Sequence, residues 1–164
     1  MPYFHHEFGD TRFIISNKYT GLYQELFGKD NFFPSNANVF LFFASLGFSH
    51  QKMTSIEQWN NTAKEGRIHF TSFKEGEIGL FLSFIFHHHH FDLDKLSPKE
   101  YSHVVERYAD AGMELFIEQF LEKYRYVKEK DGIYYLDIMD RKDFQKDLLV
   151  YIRDLHSQPL IKTG

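Results

Sequence analysis

Ser35-Asn36-Ala37-Asn38-Val39-Phe40-Leu41-Phe42-Phe43-Ala44-Ser45-Leu46-Gly47 carries apolar side chains in nearly every direction around a helix. A helix with no polar face has nowhere to sit except the middle of a fold, so this stretch predicts a central helix with other elements arranged around it. Ser35 is suited to cap it, because its hydroxyl can accept a hydrogen bond from one of the free amides of the first turn. The pattern predicts a helix running to Leu46, with Gly47 as its stop.

Working outward, Phe13-Ile14-Ile15 reads as an extended lead-in, after which Ser16 or Asn17 can cap a helix bearing Tyr19, Leu22, Tyr23 and Leu26 at helical spacing. Gly28 would end that helix. Residues 48–70 show no dominant period, and Asn60-Asn61 and Gly66 interrupt them, but Trp59 is expected to anchor the stretch to the core. Ser72-Phe73-Lys74-Glu75 spells a capping box ahead of a third helix with Ile78, Phe81, Leu82 and Ile85 as its buried stripe.

Ser97-Pro98-Lys99-Glu100 combines a capping box with proline at the first helical position, where its missing N–H costs nothing. The long helix that follows should pass Leu121 on a stripe that includes Val105, Tyr108, Gly112, Phe116 and Phe120. Gly112 costs about 1 kcal/mol of helix propensity relative to alanine, which a close helix crossing would explain. Asp131-Gly132 can turn a short hairpin or simply join two helices, the hairpin being the preferred reading, and Asp140 can cap a final helix with Phe144, Leu148, Tyr151, Ile152 and Leu155 on one face, ending near Pro159. The fold class is therefore mainly α. It is expected to be a compact single-domain helical bundle of about five helices over 1–164, with a small β-hairpin near 126–138.

Composition narrows the function. With 164 residues, 19 Phe and 10 Tyr, the chain has enough apolar material to offset the ordering entropy of one core. An aromatic excess of this size also makes an exposed protein-binding patch a candidate. Zero cysteines exclude a disulfide framework and thiol chemistry, and fit a reducing, cytoplasmic compartment. The first residues lack the pattern of a secretory leader, and the longest apolar windows, about nine residues, fall short of the ~20 that span a bilayer as a helix, so no membrane association is expected. A net charge of −4 gives no global field for nucleic acid.

His87-His88-His89-His90 is the most conspicuous metal-like feature, with His87 and His90 able to share a helical face. Adjacent histidines point in different directions and no standard ligand spacing surrounds them, so adventitious binding of nickel or zinc is the preferred reading and no cofactor is expected. Phosphate-cradling glycine loops and the nucleophile-elbow motif are absent, and no carboxylate pair stands out as catalytic. Lys123, Arg125 and Lys128, interleaved with Tyr124 and Tyr126, together with Arg141, Lys142 and Lys146, form a candidate nucleic-acid surface. Glu122, Glu129, Asp131 and Asp143 are interspersed among them.

Two blocks resemble a known family. Phe33-Pro34-Ser35-Asn36-Ala37-Asn38-Val39-Phe40-Leu41-Phe42-Phe43-Ala44-Ser45-Leu46-Gly47-Phe48 and, later, Glu106-Arg107-Tyr108-Ala109-Asp110-Ala111-Gly112-Met113-Glu114-Leu115 are similar to the helices of the DNA phosphorothioation-associated protein 4 family. The family-like region is 11–121, leaving 122–164 as a C-terminal hairpin or loop plus helix. The resemblance implies a bacterial protein encoded beside systems that place sulfur in the DNA backbone, or restrict DNA lacking it, as antiviral defence. It implies no transferable catalytic set.

Taken together, these readings favour a non-enzymatic accessory or adaptor subunit that contacts other protein subunits of such a system and leave self-association open. A direct DNA-binding module is the second reading. A metal-dependent nuclease using the histidines is the third.

Overall fold

The computed structural model describes residues 12–27, 32–69, 72–74 and 98–157. Strand β1 (Arg12–Ser16) leads through a 3-10 turn into α1 (Thr20–Phe27), followed by α2 (Asn36–Ser49) and the short α3 (Ile56–Asn60). Then come β2 (Lys64–His69), the long α4 (Pro98–Phe116), a π-helical turn (Ile117–Leu121), the hairpin β3 (Val127–Lys130) and β4 (Ile133–Leu136), and α5 (Arg141–His156). The architecture is mainly α with two small antiparallel sheets, β1–β2 and β3–β4. No helix among the described residues is long and apolar enough to cross a membrane.

α2 is the central element that its sequence predicts. Ser35 Oγ caps it by accepting from Asn38 N–H, and Val39, Phe40, Phe43 and Ala44 are fully buried. It does not stop at Gly47. The helix continues to Ser49 and closes with Gln51 in the left-handed region, φ 53°. Gly47 serves contact instead: a Cβ there would overlap the Tyr108 carbonyl oxygen of α4. Gly112 is its counterpart, where a Cβ would overlap the Phe43 carbonyl and lie 3.0 Å from Gly47 N. The two backbones therefore touch where α2 crosses α4, the close crossing expected from a glycine in mid-helix. Around that contact Phe43 and Phe116 rings sit 5.1 Å apart, and Phe116 continues to Phe120 at 5.2 Å.

The 48–70 stretch holds the element that the sequence hides. β2, Lys-Glu-Gly-Arg-Ile-His, has no alternating apolar pattern, yet it pairs with β1 from Ser16↔Lys64 to Arg12↔His69, with a register shift between Phe13 and Ile14. Backbone pairing at a sheet edge tolerates charged side chains, and Ile68 turns into the core. Trp59 does anchor the stretch, with 3% of its surface exposed.

Asp131 and Gly132 both have positive φ, 53° and 78°, which makes the turn of β3–β4 the two-residue type expected from Asp-Gly. Gly21 lets the hairpin lie on α1, in contact with the Tyr134 carbonyl and the Tyr135 ring. Glu25 accepts from Leu136 N–H at 2.5 Å. Asp140 Oδ1 caps α5 through Lys142 N–H and Asp143 N–H, while Phe144 and Leu148 reach the core. The third helix expected around 78–85, the Gly28 stop, the Ser97 cap and the Pro159 stop lie outside the described residues.

Candidate functional site

The polar side chains most deeply buried in the described residues converge on one face of α4. Glu106, 1% exposed, accepts from Ile14 N–H at 3.1 Å beside the β1 register shift and contacts His103 Nδ1 at 3.1 Å. One turn later, Asp110 accepts from the Ser16 hydroxyl at 2.5 Å and from the Thr54 hydroxyl at 2.7 Å. Arg107 Nε donates to the Thr54 carbonyl at 2.6 Å. Ser16 thus does not cap the first helix; its hydroxyl is drawn off to Asp110, a stronger acceptor.

Spacing of four residues puts Glu106 and Asp110 on the same side of α4, and β1 with the 52–55 loop supplies the donors. A small crevice lies here, lined by residues that include Ser16, Tyr19, Tyr23, Trp59, Glu106 and Asp110. Burial pushes the Tyr19 and Tyr23 phenols well above their ordinary range, and the Asp110 carboxylate adds to the effect. The Trp59 indole N–H is buried without a hydrogen-bond partner, a group ordinarily satisfied by an ordered water.

Chemically this cluster is occupied by the protein itself. All four carboxylate oxygens of Glu106 and Asp110 meet groups of this chain. They join β1, the 52–55 loop and α4. Sequence reasoning missed the cluster because Glu106 and Asp110 look like the solvated face of a helix; their buried partners lie more than fifty residues away along the chain.

The candidate nucleic-acid residues lie on the C-terminal elements, from the turn after Leu121 to α5. Lys123 and Arg125 are exposed in the turn after the π-helical segment, where Arg125 has φ 59° and Lys123 Nζ lies 5.5 Å from the Tyr124 ring centroid. Tyr124 and Tyr126 stack at 5.9 Å. Lys128 is exposed on β3. Arg141 sits over the Phe32 ring at 5.7 Å. At about 100° per residue, Lys142 and Lys146 share the outer face of α5, and Arg141 points well away from them. The structure therefore brings Lys142 and Lys146 together, keeps Lys123 and Arg125 in one turn, and sets Lys128 on β3 and Arg141 on a different side of α5.

Two residues not singled out from the sequence join that outer face. Leu149 is 62% exposed, and Arg153 pairs with its neighbour Asp154, at 3.2 Å in solvent. Near the N-terminus of α5, Met139 is fully exposed. A helical wheel drawn beyond the apolar stripe would have found the face.

His87 and His90 lie outside the described residues. Among the described residues no group of three or more His, Asp or Glu is placed to hold a metal ion. Tyr126 donates to Asp147 at 2.7 Å, and burial together with this carboxylate pushes its phenol up to about 12.

None of the curated proteins and none of the solved structures matches the chain. The family model for DNA sulphur modification system-associated protein 4 matches residues 12–148, from β1 to the middle of α5. That span includes both resembling blocks, the glycine crossing, the buried carboxylates and the hairpin, and this chain belongs to the DNA sulphur modification system-associated protein 4 family.

Proposed function

We propose that this chain is a non-enzymatic accessory subunit of a bacterial, DNA-sulphur-modification-linked antiviral system, acting in the cytoplasm by binding the system's other proteins. The family link supplies the system. The observation that carries the adaptor role is the contrast between the buried carboxylates, each already engaged by this chain's own groups, and a C-terminal surface on which cations surround exposed apolar side chains. Apolar groups held at the surface contribute free energy when a partner removes them from water.

The test is co-expression of the tagged chain with the sulphur-modification proteins of the same cell, followed by affinity purification with nuclease treatment. Co-purification in fixed proportion that survives the nuclease is the expected result. A monodisperse monomer retaining none of those proteins overturns the reading.

Direct DNA binding is a second reading, favoured by the stacked Tyr124 and Tyr126 rings beside Lys123 and Arg125. Phosphate contacts would make that binding weaken steeply as salt rises. Failure to shift labelled duplex at low salt rejects it.

A further inference from the structure

α5 carries three separate stripes. Phe144, Leu148, Tyr151 and Leu155 fall within an arc of about 60° and face the core. Asp143, Asp147 and Asp154 lie along one flank, within about 40°. Lys142, Lys146, Leu149 and Arg153 lie within about 60° on the side opposite the core, all four exposed.

Two features of the outer stripe run against local helix preferences. Lys142 and Lys146 are like charges four residues apart, an arrangement that costs a few tenths of a kcal/mol, and Lys142 lies in the first turn, where the helix dipole favours anions. No ion pair among the described residues engages either lysine. The ion pair of Arg153 with Asp154 is solvent-exposed and holds little free energy. Local stability gains nothing from this pattern, whereas a complementary surface would.

We infer that this outer face, centred on Leu149, is the docking site for an acidic, amphipathic segment of a partner protein, and this rests on the accessory-subunit reading above. From residue 142 to residue 153 the stripe is about 16 Å long, three turns of helix, and suits a partner helix that sets carboxylates against Lys142, Lys146 and Arg153. Leu149 in the middle enters an apolar notch between those carboxylates, where its burial supplies affinity while the charges set register. Duplex DNA fits less well. Phosphates would meet the Asp143, Asp147 and Asp154 flank of the same helix, and a sugar–phosphate backbone gives Leu149 no apolar partner.

The experiment uses the full tagged chain co-expressed with the sulphur-modification proteins of the same cell, in four forms: unaltered, Lys142→Glu with Lys146→Glu, Leu149→Asp, and a photoreactive phenylalanine analogue at position 149. The expected result is an about tenfold or greater loss of co-purifying partner in both substituted forms, with unchanged melting temperatures, and a crosslink from position 149 to a net-acidic segment of one of those proteins. Undiminished co-purification in both substituted forms overturns the docking site while leaving the accessory reading intact. An unaltered chain that retains no partner overturns both. A crosslink to DNA, or to a second copy of this chain, also overturns the assignment.

Discussion

The α2–α4 crossing and the outer face of α5 are both helical surfaces, but they deal with side chains in opposite ways. At the crossing, Gly47 and Gly112 remove side chains so that backbone meets backbone, and the neighbouring Phe43 and Phe116 close the space around the contact. On α5 the long side chains of Lys142, Lys146 and Arg153 stand in solvent around an exposed Leu149. The first surface is complementary to something already in the molecule. The second has no such complement within the described residues, so selection on it, if it is a binding face, acts through another molecule. The blocks that identify the family lie at the crossing, which is why membership reveals more about folding than about binding.

The sharpest way to break this comparison is to put a single methyl group into the crossing. Gly112→Ala improves intrinsic helix propensity by about 1 kcal/mol, so a merely local view expects stabilisation. The added Cβ, however, would sit 2.7 Å from the Phe43 carbonyl carbon and 3.0 Å from Gly47 N, both backbone atoms that cannot rotate away. A net loss of about 3 kcal/mol or more is expected, read as a lowered urea midpoint with an unchanged slope. An unchanged or higher midpoint would show that the helices do not touch there.

Next in size is the carboxylate cluster. Asp110→Ala leaves the Ser16 and Thr54 hydroxyls without their acceptor in a buried setting, at a cost of about 2–3 kcal/mol. Thr54→Val in the same background should then cost much less than it does alone, because one partner has already gone; a double-mutant cycle on urea midpoints measures the difference. Strict additivity would mean that the two groups do not interact. No comparable coupling is expected between Asp110 and Lys146, which belong to separate surfaces.

These two results bear on what could be read before the structure. Caps and periodicity located α2, α4 and α5 because Ser35, Pro98 and Asp140 are local signals, complete within a few residues. The Asp131-Gly132 turn is equally local. β2 was hidden because its pairing energy lies in backbone groups, which every sequence has, and its side chains are mostly charged. Gly47 was read as a stop because sequence spacing does not distinguish a glycine that ends a helix from one that admits a neighbour; only the Tyr108 carbonyl decides it. Glu106 and Asp110 were invisible as a site for the same reason, since Ile14, Ser16 and Thr54 approach them only in three dimensions. The six candidate cations were legible as residues but not as a surface, because hairpin, turn and helix geometry separates Arg141 from Lys142 and joins Lys146 to Leu149.

A smaller effect should come from the α5 cap. Asp140→Ala removes the acceptor for Lys142 N–H and Asp143 N–H, at a cost of about 1 kcal/mol. The loss is expected chiefly as faster amide exchange in the first turn of α5, with the α2–α4 crossing still protected. Equal loss of protection at both places would mean that α5 and the crossing unfold as one unit and that the contrast between them is not energetic.

The smallest expected effect concerns the tie between hairpin and α5. Tyr126 donates to Asp147, and its phenol is raised from its ordinary 10.0 to about 12 by burial first and by the hydrogen bond and charge of Asp147 second. A raised value in the fold means that the neutral phenol is favoured there. Its contribution to stability is therefore fully present below pH 10 and is lost as pH rises through about 12. Asp147→Asn removes the negative charge that opposes phenolate formation, so the Tyr126 transition in the near-ultraviolet absorbance should move down toward the ordinary value. Stability at neutral pH should hardly change, because the side chain is partly open to water, where such contacts are screened. Tyr126→Phe supplies the control: it should remove that one transition. If Asp147→Asn instead leaves the Tyr126 transition where it was, Asp147 does not govern that phenol, and the tie between hairpin and α5 is not electrostatic.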